Sequence, residues 1–356
     1  MTDDVPLDER RVLADAVRRQ RDRVADQVTE EFLHRHPQWV TRYGDLAWTR
    51  GVEDARFHLD FLAGAIESGD PRTFAEYARW TAGVLDSRGI PPEFFIENLG
   101  QAGDHLGALL DDADAVRIAG FIEADRAAAG QSSGKAAAPS DALGVHRSVY
   151  LQAILNGERR AALTVALELL ADGQSVSDIY CDVLQPAQHE LGRLWERNEI
   201  TVAREHMGTA ITQFVVAQLY SRIAAPDVPR GRAVVTGVQG ELHQLGANMV
   251  ADVLEADGWN VRFLGTQTPQ RDVLSAIEEH EPAVLGVSTT MLFNLRSAAD
   301  LVEQARARFG RDMKIIVGGG AFCSSPGFWQ DIGADACGLD LRDAVAQVRT
   351  ITGAAE

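Results

Sequence analysis

The chain has 356 residues, of which 46% are hydrophobic and 24% charged, a composition typical of soluble globular protein with room for two or three domains. No apolar run is long enough to cross a bilayer and the acidic N-terminus lacks the apolar segment of a signal peptide, so we expect a cytoplasmic protein without membrane contact. The net charge of −18 and the lack of a basic cluster argue against nucleic-acid binding.

Residues 1–126 are predicted to form an all-helical domain. Val17, Val24, Val28 and Phe32 recur at helical spacing, and no segment in this region alternates with a period of two. Further apolar-periodic stretches lie near residues 48–68, 73–87, 92–110 and 113–126. Residues 127–140 are small and polar, which is typical of a linker.

Residues 141–225 are predicted to form a four-helix bundle, because short connections separate four helical segments. The third segment ends near Trp195, and the pair Glu205 and His206 falls in the first turns of the fourth. These two helix ends could face each other across the turn and form a pocket. Considered alone, the same pattern also fits a buried tryptophan beside two surface polar residues.

In residues 231–356 the pattern changes from helices alone to strands that alternate with helices. Four short apolar strands, RAVVTGV, NVRFLG, AVLGVS and KIIVGG, alternate with helical patterns, which predicts a doubly wound parallel sheet. Ligands of such sheets bind at the carboxyl ends of the strands. The three cysteines, Cys181, Cys323 and Cys337, are too few and too scattered for a disulfide framework or a zinc site, so we expect small buried hydrophobic side chains.

The loop after the first of these strands reads GVQGELHQLGANM and contains Gly240, Glu241, His243 and Gly246. It lacks the Gly-x-Gly-x-x-Gly spacing of dinucleotide sites, which disfavours a dehydrogenase. Glu241 stands two residues before His243 and could accept a hydrogen bond from one ring nitrogen. Such a bond fixes the tautomer of a histidine and makes its other nitrogen a better metal ligand.

GELHQLG resembles the Glu/Asp-x-His-x-x-Gly signature of cobalamin-binding domains, in which the histidine is the lower cobalt ligand. Ser288 to Thr290 and Gly318 to Gly320 are similar to the family's Ser-x-Thr/Leu and Gly-Gly motifs, which lie beside the nucleotide tail of the cofactor. The preceding bundle resembles the family's cap over the upper face of the corrin. The resemblance covers residues 141–356 and implies that His243 binds cobalt from below.

The spacing Trp-x9-Glu-His resembles the upper-face motif of CarH-like cobalamin photoreceptors. This resemblance implies that Trp195 covers the adenosyl group of adenosylcobalamin, Glu205 holds its ribose, and His206 is the candidate upper cobalt ligand after light. The cofactor-binding residues expected from both resemblances are Trp195, Val202, Glu205, His206, Gly240, Glu241, His243, Leu245, Gly246, Ser288, Thr290, Gly318 and Gly319.

The same cofactor domain serves methyltransferases and mutases. A corrinoid carrier for methyl transfer needs an open upper face, which Trp195 and a second histidine would obstruct, and a mutase needs a substrate barrel that this chain lacks. The light-sensing interpretation is therefore preferred, with the corrinoid carrier as its alternative.

The N-terminal region departs from the light-regulated repressors, which begin with a basic DNA-binding domain. Its acidic helices look like a globin-like sensor module, and the whole arrangement is similar to photocobilins, which carry biliverdin in such a domain. Candidate bilin-pocket residues are Trp48, His58, Tyr77, Arg79 and Trp80. His58 could instead be the proximal ligand of a haem, which would make the chain a haem-based sensor with a cobalamin domain.

The sequence thus predicts a light-sensing signalling protein rather than an enzyme. Its chromophores would be adenosylcobalamin and, in the N-terminal domain, biliverdin. Small movements of the bundle can change a helix interface, so the expected output is a light-dependent homo-oligomeric state or the binding of a downstream protein partner.

Overall fold

A computed structural model describes residues 5–129, 143–223 and 229–353. The chain divides into two compact units, Met1–Gly134 and Lys135–Glu356. Of the predicted linker, residues 130–140 lie outside the described residues. Among the residues that the structure describes, no helix is both long and apolar enough to span a bilayer.

Every regular element among the described residues of the N-terminal unit is an α-helix, as the sequence predicts. Its helices are α1 (Leu7–Arg35), α2 (Gln38–Tyr43), α3 (Leu46–Ser68), α4 (Pro71–Ser87), α5 (Pro92–Gly107) and α6 (Asp112–Ala129). Helix α6 continues three residues into the predicted linker. Val17, Val24 and Val28 are fully buried on α1, which confirms the apolar stripe.

The C-terminal unit begins with the predicted bundle. Its helices are α7 (Gly144–Leu155), α8 (Arg159–Ala171), α9 (Val176–Ile179), α10 (Gln185–Glu196) and α11 (Val202–Tyr220). Helices α9 and α10 correspond to the single third helix that the sequence predicts. A π-helical segment, Tyr180–Leu184, joins them.

Pro186 explains the π-helical segment. Proline has no N–H, so it cannot donate to the carbonyl of Asp182, four residues earlier, and its ring disturbs the helical ladder there. The side chain of Arg147 replaces the missing donor, because its Nε lies 2.9 Å from the Asp182 carbonyl oxygen. Periodicity alone cannot reveal this interruption, since the apolar residues continue on both sides of it.

A five-stranded parallel sheet follows, with the order β2-β1-β3-β4-β5. The strands are β1 (Gly231–Gly237), β2 (Trp259–Phe263), β3 (Val284–Ser288), β4 (Lys314–Gly318) and β5 (Ala336–Gly338). The helices are α12 (Leu245–Ala256), α13 (Gln270–His280), α14 (Leu295–Phe309), α15 (Gly320–Ser324), α16 (Phe328–Asp331) and α17 (Leu341–Thr352). The doubly wound parallel sheet is confirmed, with a fifth strand that was not predicted.

The bundle and the sheet share a core within this unit. Met249 and Val253 of α12 and Leu341 of α17 are buried in the same apolar cluster as the bundle residues. A polar contact joins the same elements, because the hydroxyl of Tyr180 donates to Asp252 Oδ2 at 2.9 Å. Burial raises the pKa of Asp252 to about 6.

Candidate functional site

The candidate site lies at the carboxyl edge of the sheet, between β1 and β3. The strand order reverses its direction from β1 at this point, which is where ligands bind in open parallel sheets. The loop after β1 carries Glu241 and His243, and the loop after β3 carries Thr290 and Met291. Gly240 turns the first loop with φ of +93°, and a Cβ there would lie 2.7 Å from an oxygen of Asn294.

His243 is held by Glu241 as the sequence predicts. Its Nδ1 lies 2.5 Å from Glu241 Oε1, which leaves Nε2 as the ring nitrogen for a metal ion. The His243 side chain is 56% exposed, whereas that of Glu241 is fully buried. The imidazole is therefore presented outward from a fixed carboxylate.

The Glu241 carboxylate also joins the two loops. Oε1 accepts hydrogen bonds from the backbone N–H groups of Leu242 and His243, both at 3.0 Å. Oε2 accepts three more from the loop after β3 and from the residues that follow it. These donors are the N–H of Thr290 at 2.8 Å, the N–H of Met291 at 3.0 Å and Nδ2 of Asn294 at 3.1 Å. One buried side chain thus fixes the histidine loop against the neighbouring strand.

These contacts set the charge of the pair. Burial alone would raise the pKa of Glu241, but the hydrogen bonds from His243 and from the backbone outweigh it and lower this pKa to about 2. The hydrogen bond to Glu241 raises the pKa of His243 against the effect of burial, and the Glu205 carboxylate adds to the increase. Glu205 of the bundle is therefore close enough to His243 to affect it electrostatically.

A groove of about 460 Å³ lies over the carboxyl ends of β1, β3 and β4, beside the start of α12. Its walls contain the predicted residues Gly246, Ser288, Thr290, Gly318 and Gly319. A Cβ on Gly319 would lie 2.4 Å from the Thr289 carbonyl oxygen, and Gly319 has φ of +97°. Glycine is therefore required at this position, because it lets the loops after β3 and β4 approach each other beside the groove.

The predicted upper-face residues lie on the two sides of the turn between α10 and α11. Asn198, with φ of +57°, ends the first helix in a left-handed conformation, and its N–H donates to the Trp195 carbonyl. The side chain of Thr201 caps α11. Glu205 lies in the first turn of α11, and its Oε2 is 2.5 Å from Nδ1 of His206, whose side chain is 75% exposed.

The residues of this region fit a corrin with a nucleotide tail. Leu242 and Val202 are 76% and 54% exposed, so apolar side chains stand uncovered on both the sheet side and the bundle side. Thr289 is fully buried beside the groove, yet its hydroxyl has no hydrogen-bond partner in the described residues. Leu245 and Trp195 differ from the other predicted contacts, because both are partly buried and pack against the bundle core.

The N-terminal unit contains a separate cavity of about 390 Å³. Three of the five predicted bilin residues, His58, Tyr77 and Trp80, line it, whereas Trp48 and Arg79 do not. Arg50 is the arginine that lines the cavity. The hydroxyl of Tyr77 lies 2.6 Å from Nδ1 of His58, and burial lowers the pKa of His58 to about 4.

Several groove residues were missed in the sequence. They are Gln185 and His189 of the bundle, and Gly286, Cys323 and Gly338 of the sheet domain. The signal for Gly338 was weak because β5 has only three residues. The expectation of buried cysteines is wrong: Cys323 is exposed, and Cys181 and Cys337 are only half-buried. All three thiols are free.

Comparison with known proteins agrees with this geometry. Residues 147–220 and 231–349 each match a B12 binding domain family. Over 206 residues, 56% of this chain and 93% of the relative, the chain is 26% identical to trimethylamine corrinoid protein 1 of Methanosarcina acetivorans. Over 141 residues, 39% of this chain and 46% of the relative, it is 30% identical to the HTH-type transcriptional repressor CarH of Myxococcus xanthus.

The fold is also that of a solved corrinoid protein. The structure of the Methanosarcina barkeri monomethylamine corrinoid protein superposes with a TM-score of 0.53 and 22% identity, covering 59% of this chain and all of that protein. Both matched families lie in the C-terminal unit, where the buried carboxylate, the exposed imidazole and the glycine-walled groove meet. The chain is therefore a cobalamin-binding protein built on B12 binding domains.

Proposed function

We propose that the chain is a light-sensing signalling protein that uses adenosylcobalamin. The observation that carries this proposal is a second exposed imidazole, His206, held by Glu205 on the bundle side while His243 stands on the sheet side. The Glu205 carboxylate contributes to the raised pKa of His243, so the two groups lie near each other. A ligand between them would meet one histidine from each side.

When bound, adenosylcobalamin supplies a cobalt–carbon bond that visible light can break. In the dark, His243 would hold cobalt from below, Trp195 would cover the adenosyl group, and Glu205 would bind its ribose hydroxyls. After light, His206 would leave Glu205 and approach the freed face of cobalt, since imidazole suits late first-row metals. The 30% identity to CarH over the aligned region supports this assignment.

A second candidate function is a corrinoid carrier for methyl transfer. The dimethylamine and trimethylamine corrinoid proteins among the relatives support it, and they align over most of their length. A carrier must expose its upper face to partner enzymes, whereas Trp195 and His206, at the turn between α10 and α11, would obstruct this face. We therefore place the light sensor first.

The output would be a movement of the bundle against the sheet. Helix α12 begins two residues after His243 and carries Asp252, which Tyr180 of the bundle contacts, so a change at the histidine loop reaches the bundle through one helix. We propose a light-dependent homo-oligomeric state or a downstream protein partner as the result. The protein would act as a receptor and not as an enzyme.

We propose biliverdin as a second chromophore, in the cavity of the N-terminal unit. Aromatic side chains that include Trp39, Tyr77 and Trp80 line this cavity, as a flat conjugated ligand requires. Thr29 and Thr81 also line it, and their buried hydroxyls have no hydrogen-bond partner in the described residues. The alternative is a haem bound through Nε2 of His58, with Nδ1 occupied by Tyr77.

The light proposal is tested on the full chain loaded with adenosylcobalamin in darkness. We expect the visible spectrum to change under green light. His206→Ala should bind the cofactor normally and give a different illuminated spectrum, while Arg204→Ala, an exposed residue of the same helical turn, should behave as wild type. An unchanged wild-type spectrum excludes light sensing, and an illuminated spectrum unaffected by His206→Ala excludes the proposed role of His206.

The N-terminal proposal is tested by expression with a source of biliverdin or of haem. Red absorbance in the purified chain should appear with biliverdin and be lost in Trp80→Ala, which removes a cavity wall. It should remain in Trp48→Ala, because Trp48 does not line the cavity. A Soret band without red absorbance would support the haem alternative instead.

A further inference from the structure

A chain of hydrogen bonds runs from Glu205 into the bundle core. Oε1 of Glu205 lies 2.9 Å from the hydroxyl of Thr209, and the same hydroxyl lies 3.0 Å from Oε1 of Gln188. Nε2 of Gln188 donates to the hydroxyl oxygen of Thr212 at 2.5 Å, and the hydroxyl of Tyr150 donates to the same oxygen at 2.9 Å. The single proton of the Thr209 hydroxyl lies between two acceptor oxygens, and a three-centre hydrogen bond that shares it links the carboxylate to the amide.

The inner end of this series of hydrogen bonds lies in the bundle core. Tyr150 and Thr212 are both fully buried. The Thr212 oxygen accepts from Tyr150 and Gln188 and donates to the Gly208 carbonyl at 3.2 Å, so its hydrogen-bonding capacity is used. The Gln188 amide is therefore fixed in orientation, with its oxygen toward Thr209. The half-buried Glu205 side chain is thus tied to the buried core of the bundle.

We propose that Gln188 and Thr209 are positioning residues that hold the Glu205 carboxylate for hydroxyl donors above cobalt, and so make the site select an adenosyl over a methyl upper ligand. This inference rests on the proposed placement of Glu205 at the ribose. An adenosyl group offers two adjacent hydroxyls to a carboxylate, whereas a methyl group offers none. A carboxylate that is already oriented loses less side-chain freedom on binding, which corresponds to about a 2- to 10-fold gain in affinity.

The test is the dark dissociation constant of the full chain for adenosylcobalamin and for methylcobalamin. Thr209→Val, which keeps the shape and removes the hydroxyl, should weaken adenosylcobalamin binding about 2- to 10-fold and leave methylcobalamin binding unchanged. Gln188→Leu should do the same. Thr209→Ser keeps the hydroxyl and should retain the wild-type ratio, so loss of fold is distinguished from loss of the contact.

Three results would overturn the inference: a wild-type chain that binds both cofactors equally, an unchanged ratio in Thr209→Val, or an equal weakening of both cofactors. The light experiment is separate from this one. A chain that shows no spectral response to light, but whose affinity ratio falls in Thr209→Val, would contradict light sensing and support the positioning role.

Discussion

Glutamine in place of Glu241 keeps the volume of the side chain but replaces one of its two acceptor oxygens by an NH₂ group. Each carboxylate oxygen of Glu241 accepts three hydrogen bonds, one set from the histidine loop and one from the loop after β3 and Asn294. Whichever way the new amide turns, its NH₂ group faces three donors. Glu241→Gln therefore separates the two loops or releases His243.

The loss of stability expected in Glu241→Gln follows from the burial of the donors around this side chain. A buried donor left without its acceptor costs about 1–3 kcal/mol, so three such donors would cost roughly 3–9 kcal/mol. Movement of the loops toward water should bring the loss to the lower end of this range. Mutation of a residue that orients a metal-bound histidine typically costs about 10–100-fold in metal affinity, and we expect a fall of at least this size for cobalamin.

Titration with hydroxocobalamin, followed by visible absorbance, measures the affinity, and thermal unfolding measures the stability. Glu279→Gln is the matched control, because it removes the same charge from a surface helix of the same unit. We expect the control to bind as wild type. A Glu241→Gln chain with wild-type affinity and unfolding temperature would show that the two loops do not depend on this carboxylate.

Two further substitutions test the surroundings of the site. Burial holds the pKa of Asp252 at about 6, above its ordinary 3.8, so the folded state binds the proton more tightly and stability rises as the pH falls through this range. From pH 7 to pH 5 the wild type should gain about 1 kcal/mol relative to Asp252→Asn in urea unfolding, and parallel curves would contradict this. Gly319→Ala places a Cβ 2.4 Å from the Thr289 carbonyl and should abolish cobalamin binding, measured by equilibrium dialysis. Gly192→Ala, with open space around its Cβ, should not, and a Gly319→Ala chain that binds cobalamin would refute the close-approach argument.

The sequence predicted what is local in the chain. Glu241 and His243 are two residues apart, so their contact follows from spacing alone. The other half of the carboxylate's hydrogen bonds comes from residues about fifty positions later, such as Met291 and Asn294, which only the pairing of β1 with β3 brings near. The sequence alone does not reveal which residues of β1 and β3 are paired.

The N-terminal cavity illustrates the same limit. His58 lies on α3 and Tyr77 and Trp80 on α4, and their aromatic character was a sufficient signal for a pocket. Arg79 is adjacent to Trp80 in sequence but does not line the cavity, because neighbouring residues on a helix point in different directions. The arginine that lines the cavity is Arg50 of α3 instead of Arg79. Asp54, one helical turn after Arg50, also lines it.

The most direct test of the account is the source of the nitrogen beneath cobalt. The full chain is expressed in medium labelled with nitrogen-15 and loaded with unlabelled cobalamin. The bound cobalamin is then reduced to Co(II), and its electron paramagnetic resonance spectrum is recorded. If His243 binds cobalt, the nitrogen splitting changes from a triplet to a doublet, and His243→Ala loses the doublet. A triplet that persists in the labelled chain would mean that the cofactor's own base remains on cobalt, and the proposed lower ligand would be wrong.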